Sequence, residues 1–250
     1  MLILYFSGTG NSKYVAEFFA AHMGAACHSI EEDLDFSRMI SASETIAFCY
    51  PIYVSRVPEI MREFVSAYAN ELKGKRVIIF CTQHVFSGDG ARAFLDLLPR
   101  DHIKVQYAEH FLMPNNISNL FFYPSTSERK VNIYAEKTRL KMEKVCQDIK
   151  GGRIKKRGFS AGSRALGAIQ AVFLRPTEKL AKRKIFLSKN CNFCGLCAKV
   201  CPTENLLFAE ERITHQHKCT MCYRCVNDCP QKAISIILPG KVRRQYRAKF

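Results

Sequence analysis

The chain has 250 residues, enough for one full domain and a second small one. Hydrophobic residues make up 48% of it and no stretch is low in complexity, which excludes a disordered chain. The formal net charge is +16, yet residues 1–150 carry 17 Lys+Arg against 17 Asp+Glu, so the whole excess lies in residues 151–250. The longest apolar run, Ala165 to Leu174 between Arg164 and Arg175, is about half the roughly 20 residues that a membrane span needs. Met1 to Phe6 leads into a polar glycine loop without a charged start or a cleavage site. No secretory signal is therefore expected, and the expected compartment is a reducing cytoplasm where clustered thiols bind metal.

In chain order, the first 150 residues alternate short β-branched runs with helical patterns. That pattern predicts an α/β domain, a doubly wound parallel sheet of about five strands. Leu2 to Phe6 reads as the first strand, followed by a helix from about Ser12 to Met23. Ile46 to Tyr50 and Val77 to Cys81 are continuous apolar runs, as buried parallel strands usually are. Helical spacing joins Ile60, Phe64 and Val65, and again Phe94, Leu97 and Leu98. A strand near Ile103 to Tyr107 and a long helix from about Glu128 to Ile149 close the first domain, with Gly151 and Gly152 as the stop. Residues 151–184 hold ten basic side chains and a single acid, Glu178, and read as a basic connector containing one helix. A second domain is expected over 185–240, and 241–250 is a basic tail carrying Lys241, Arg243, Arg244, Arg247 and Lys249.

The loop after the first strand reads SGTGNS, Ser7 to Ser12. Backbone N–H groups at a helix N-terminus attract phosphate, and small residues let the backbone close around it. Ser7, Gly8, Thr9, Gly10, Asn11 and Ser12 are therefore candidates for binding a terminal phosphomonoester. A dinucleotide fingerprint would need glycine where Lys13 stands, and the P-loop pattern is absent. Residues 113–125, with Phe121 and Phe122, form a loop long for a compact sheet, expected to cover a ligand, dock the second domain or pack as a surface insertion.

The second domain repeats itself: CNFCGLCAKVCP at 191–202 and CTMCYRCVNDCP at 219–230 are 28 residues apart. Three closely spaced thiolates reach three irons of one cubane, and the fourth iron needs a ligand from elsewhere. In two-cluster ferredoxins the last Cys of each run serves the other cluster. This assigns Cys191, Cys194, Cys197 and Cys229 to one 4Fe-4S cluster and Cys219, Cys222, Cys225 and Cys201 to a second. Paired zinc sites would leave the third Cys of each triplet without a role. His215 and His217 need no metal role, and Cys27, Cys49, Cys81 and Cys146 read as packing.

Residues 185–240 resemble the bacterial two-cluster ferredoxins, a small α+β fold, and the resemblance implies one-electron transfer. The first domain resembles the flavodoxins: Ser7, Gly10, Ser12 and Ala16 fall on the phosphate-loop signature, with Ser12 where threonine is usual. That resemblance implies bound FMN, its ring gripped by two further loops. The counterparts here are Pro51, Ile52, Tyr53 and Val54, and Thr82, Gln83, His84, Phe86 and Gly88. The whole chain looks like a flavodoxin-ferredoxin fusion, which implies electron transfer between two 4Fe-4S clusters and FMN. Partners expected are an acidic redox protein of ferredoxin or flavodoxin type, or a small acceptor. Two other readings stay open: an FMN-dependent reductase of a quinone or nitro compound using reduced ferredoxin, and a binder of nucleic acid or a membrane surface with structural clusters.

Overall fold

The computed structural model describes residues 1–53, 55–98, 103–120 and 126–250, with the backbone alone for 173–175. β1 (Leu2–Tyr5), β2 (Ala26–Ser29), β3 (Thr45–Pro51), β4 (Arg76–Gln83), β5 (Lys104–Leu112) and β6 (Lys155–Lys156) form one parallel sheet. Their order is β2-β1-β3-β4-β5-β6, so the winding reverses between β1 and β3. The sixth strand exceeds the five expected. It is two exposed lysines at the sheet edge, too short and too polar to register as a strand. β2, at the opposite edge, has no fully buried residue in its ACHS sequence and likewise lacks a signature.

Alternation along the strands builds two cores. Leu2, Leu4, Phe6, Phe48, Tyr50, Val77 and Ile79 face α2 (Phe36–Ser41), α3 (Glu59–Ala67) and α4 (Gly90–Leu95). Ile3, Ala47, Cys49, Ile78 and Phe80 face α1 (Asn11–Met23) and α5 (Glu128–Lys150). Burial on both faces is why the central strands read as unbroken apolar runs. Each large side chain so removed from water contributes about 1.5–3 kcal/mol.

α6 (Ala161–Arg183) starts at Ser160, whose hydroxyl accepts from Ser163 N at 3.2 Å, and runs beside both halves of the molecule. Gln170 ties it to the loop after β4, accepting from Gly88 N and donating to the Phe86 carbonyl, each at 3.0 Å. Glu178 pairs with Arg62 at 2.7 Å and with Arg56. Farther along, Leu180 and Ala181 pack on Met221, Tyr223 and Val226.

The C-terminal module holds β7 (Ile185–Leu187), α7 (Leu196–Lys199), β8 (Leu206–Ala209), β9 (Arg212–His215), α8 (Arg224–Asp228) and β10 (Ile234–Ile236). The 28-residue offset of the cysteine runs carries β7 onto β9, α7 onto α8 and β8 onto β10. β7 pairs antiparallel with β10 and β8 with β9, so each ladder takes one strand from each half. Backbone conformation repeats too, with φ of 54° at Phe193 and 57° at Met221, and 49° at Glu204 and 50° at Lys232.

Candidate functional site

A cavity of about 460 Å³ opens at the C-terminal ends of β1, β3 and β4, beside the point where the strand order reverses. Open parallel sheets bind ligands there because two loops part on opposite sides of the sheet. Ser7, Gly8, Thr9, Asn11 and Ser12 line it from the first loop, Pro51, Ile52 and Tyr53 from the second, and Thr82, Gln83, His84 and Phe86 from the third. Gly10 and Gly88 are not on its wall. Gly10 lies against Ala248 of the tail, and Gly88 against the α6 backbone. Val54, and Phe121 and Phe122 of the long loop, lie outside the described residues.

Much of the remaining wall comes from parts of the chain distant in sequence, among them Ile117 and Leu120 of the long loop, Thr177 and Leu180 of α6, and Met221 and Tyr223 of the second cysteine loop. The length of the 113–125 loop was a usable signal for the first pair. Nothing local marks the others, because their role depends on how the C-terminal module is docked.

The polar groups of the cavity divide into two sets. One set is committed internally. Ser7 Oγ accepts from Gly10 N at 3.1 Å, and the Ser12 and Thr82 hydroxyls share a hydrogen bond of 2.7 Å. Asn11 donates to the Pro114 carbonyl at 3.0 Å and accepts from Tyr246 OH at 2.6 Å, so its amide fastens the loop. His84 Nδ1 lies 3.1 Å from the Met113 carbonyl, joining the third loop to the long one. The other set is buried without a partner: Thr9 Oγ1, Tyr53 OH, Gln83 Oε1, Ser87 Oγ and Tyr223 OH. A buried polar atom left unpaired is costly, so five on one cavity mark it as built for a polar ligand. Burial pushes the Tyr53 and Tyr223 phenols well up, which keeps both as neutral hydrogen-bond donors.

The two modules meet at this cavity. A Cβ on Gly8 would lie 2.4 Å from the Cys222 carbonyl oxygen and 2.5 Å from Tyr53 OH, so only glycine lets the two loops touch. Tyr223 lines the cavity and also a smaller hollow beyond it. That hollow is ringed by Cys201, Cys219, Cys222 and Cys225, and a second one by Cys191, Cys194, Cys197 and Cys229. Asn205 N donates to Cys201 Sγ at 3.2 Å and Ala233 N to Cys229 Sγ at 3.3 Å, equivalent bonds in the two halves. Backbone N–H bonds to a ligating sulfur are among the contacts that tune a bound cluster. Among the described residues no three His, Cys, Asp or Glu side chains converge on a single-ion site. The two hollows differ in setting: Cys222 is buried in the core of the sheet domain, whereas Cys194 is exposed.

A family model described as a flavodoxin domain matches residues 2–151, and one described as a 4Fe-4S dicluster domain matches residues 183–230. Among solved structures, a two-electron reduced flavodoxin of Megasphaera elsdenii is 25% identical, over 44% of this chain and 85% of that one, with a TM-score of 0.39. A general stress protein 14 of Treponema denticola, in complex with FMN, is 12% identical over 58% of this chain and 96% of its own, at 0.44. A WrbA-like flavodoxin from Agrobacterium tumefaciens is 18% identical over 61% and 98%, at 0.42. No curated protein is significantly similar to the chain.

Proposed function

The chain belongs to the flavodoxin domain family and carries a 4Fe-4S dicluster domain behind it, and from that premise we propose that it moves electrons between two 4Fe-4S clusters and one FMN, to or from an external redox partner. The observation that carries the reading is Tyr223, a wall shared by the cavity after β1 and the hollow of the second cysteine quartet. When bound, FMN supplies a group that takes one or two electrons, where each cluster passes one.

The residues divide the work of holding it. The Ser7–Ser12 turn at the start of α1 suits the phosphate, with Thr9 Oγ1 as an unpaired hydroxyl. Tyr53, Gln83, Ser87 and Tyr223 offer polar atoms to the ring, and the apolar side chains of Ile52, Ile117 and Leu180 exclude water from it. Cys191, Cys194, Cys197 and Cys229 hold one cluster, and Cys219, Cys222, Cys225 and Cys201 the other. The external partner is an acidic carrier or a small acceptor, in keeping with the basic C-terminal part.

An anaerobic reductive titration of the reconstituted full chain tests this. Flavin and cluster absorbance should both bleach, with a total uptake of about four electrons per chain, one per cluster and two per flavin. Uptake by clusters with no flavin signal would overturn the reading.

A further inference from the structure

The two cysteine loops are related by a 28-residue offset, and their departures from each other are informative. Where the first has Gly195 and Leu196, the second has Tyr223 and Arg224. Gly195 and Tyr223 share a left-handed conformation, φ 72° and 61°. A tyrosine there carries backbone strain that glycine avoids. Both substituted side chains reach the sheet domain. Tyr223 meets the cavity, and Arg224 meets the back of the phosphate loop.

Arg224 donates from Nη2 to the Ser7 carbonyl at 2.8 Å and from Nε to the Gly8 carbonyl at 3.2 Å, while Nη1 pairs with Glu31 at 2.7 Å. The C-terminal tail continues the same grip. Arg247 Nη1 donates to the Gly8 carbonyl and Ala248 N to the Thr9 carbonyl, each at 2.8 Å. The tail is in turn fixed to α8. Gln245 Nε2 donates to the Val226 carbonyl at 3.1 Å, Tyr246 N donates to Asn227 Oδ1 at 2.8 Å, and Arg247 pairs with Asp228. Three successive loop carbonyls are thus held from outside. Because a trans peptide sets its N–H opposite its C=O, the N–H groups of Gly8 and Thr9 are turned the other way, as a phosphate-binding turn requires.

Arg224 sits between Cys222 and Cys225, two ligands of one quartet. We infer that Arg224 is a positioning residue coupling assembly of the second cysteine loop to FMN binding: ordering the loop around its cluster presents the guanidinium to the Ser7 and Gly8 carbonyls and so preorganises the phosphate site. The inference rests on the FMN reading above. Coupling of this kind is reciprocal, so bound FMN must stabilise the cluster by the same factor.

The test measures FMN affinity, by quenching of flavin fluorescence, for the full chain with and without clusters, in the wild type, Arg224→Gln and Arg224→Lys. In the wild type, loss of clusters should weaken FMN roughly 5- to 100-fold, the usual range for coupled sites. In cluster-loaded Arg224→Gln, FMN should already be weakened by a similar factor, and removing the clusters should add less than about twofold. Arg224→Lys, which keeps the charge but not the forked geometry, should recover only part of the affinity. A second measurement needs no variant: saturating FMN should slow loss of cluster absorbance to a chelator in the wild type. Equal weakening of wild type and Arg224→Gln on cluster loss, or no effect of FMN on cluster lifetime, would overturn the coupling while leaving FMN binding intact. Failure of every form to bind FMN would overturn the reading of the cavity and this inference with it.

Discussion

Tyr53 and Tyr223 each bury a phenol hydroxyl that has no protein partner. Phenylalanine at either position should raise the stability of the FMN-free chain by about 1 kcal/mol, by removing an unpaired buried group. It should also lower FMN affinity by up to about tenfold, through loss of one hydrogen bond to the ligand. Thermal melts and fluorescence titrations of Tyr53→Phe and Tyr223→Phe would show whether the two effects have opposite signs. A different residue pair governs acid sensitivity. Glu109 is fully buried on β5, and Lys155 and Lys141 approach it at 2.7 and 2.9 Å. Burial alone would raise its pKa, but the Lys155 hydrogen bond and the Lys141 charge outweigh that and hold it below the usual carboxylate range. Its neighbour His110 accepts from Ala91 N at 3.3 Å through Nε2, and burial, then the Arg157 charge, hold its pKa down to about 4 from 6.5. The folded value lies below the unfolded one, so the stabilisation is complete above pH 6.5 and lost as pH falls toward 4. The loss should be on the order of 3 kcal/mol. Urea unfolding across that window should show the decline in the wild type and a flatter curve in His110→Gln, whose amide oxygen can still accept from Ala91 N.

At the scale of elements, α6 is seated by close backbone contact. A Cβ on Gly88 would lie 2.6 Å from both Gly167 N and Ser163 O, and neither backbone atom can yield without moving the helix. Gly88→Ala should therefore cost about 1–3 kcal/mol and loosen FMN, because Phe86 and Thr177 on opposite sides of that contact both line the cavity. The loss of melting temperature and of FMN affinity should appear together. Gly88 was expected in the sequence as a ligand contact, and the structure gives it to helix packing. Elements with strong periodicity were legible: β3 and β4 as apolar runs, α5 to within a residue at its C-terminal end. β2 and β6 were not, because edge strands that bury little carry no apolar signal. The cavity loops could be read because each follows a legible strand. Thr177 and Met221 could not, since their place on the wall is a fact of docking rather than of local pattern.

For the whole molecule, the uneven charge is partly an internal matter. Acids of the balanced first 150 residues pair with bases of the C-terminal part: Glu31 with Arg224, Glu59 with Lys182, Glu109 with Lys155 and Arg157, Glu128 with Arg244. The excess that from sequence alone pointed outward to an acidic partner is in part the surface by which one module grips the other. No helix among the described residues is long and apolar enough to cross a membrane. The C-terminal module has small cores of its own, such as Cys197, Leu206 and Ile234, so its cysteines and their metal must supply much of its order. Lys189, Lys199 and Lys218 already face solvent, so removing the metal and with it the order of the backbone beside them should let trypsin cut there well before sites in the sheet domain. Limited proteolysis with and without chelator, followed by mass spectrometry, would detect it.

The 28-residue repeat bears on how such a chain changes over generations. Its two copies kept one backbone but have unequal liberty. Around Cys194 the loop faces outward, and a new side chain at Asn192 or Leu196 answers mainly to its own cysteine quartet. Around Cys222 the loop answers to a second domain as well, through the Cys222 carbonyl packed against Gly8 and the hydrogen bond from Arg224 to the Ser7 carbonyl. The first loop is thus held by fewer partners than the second, and sequence differences between relatives should collect in the first.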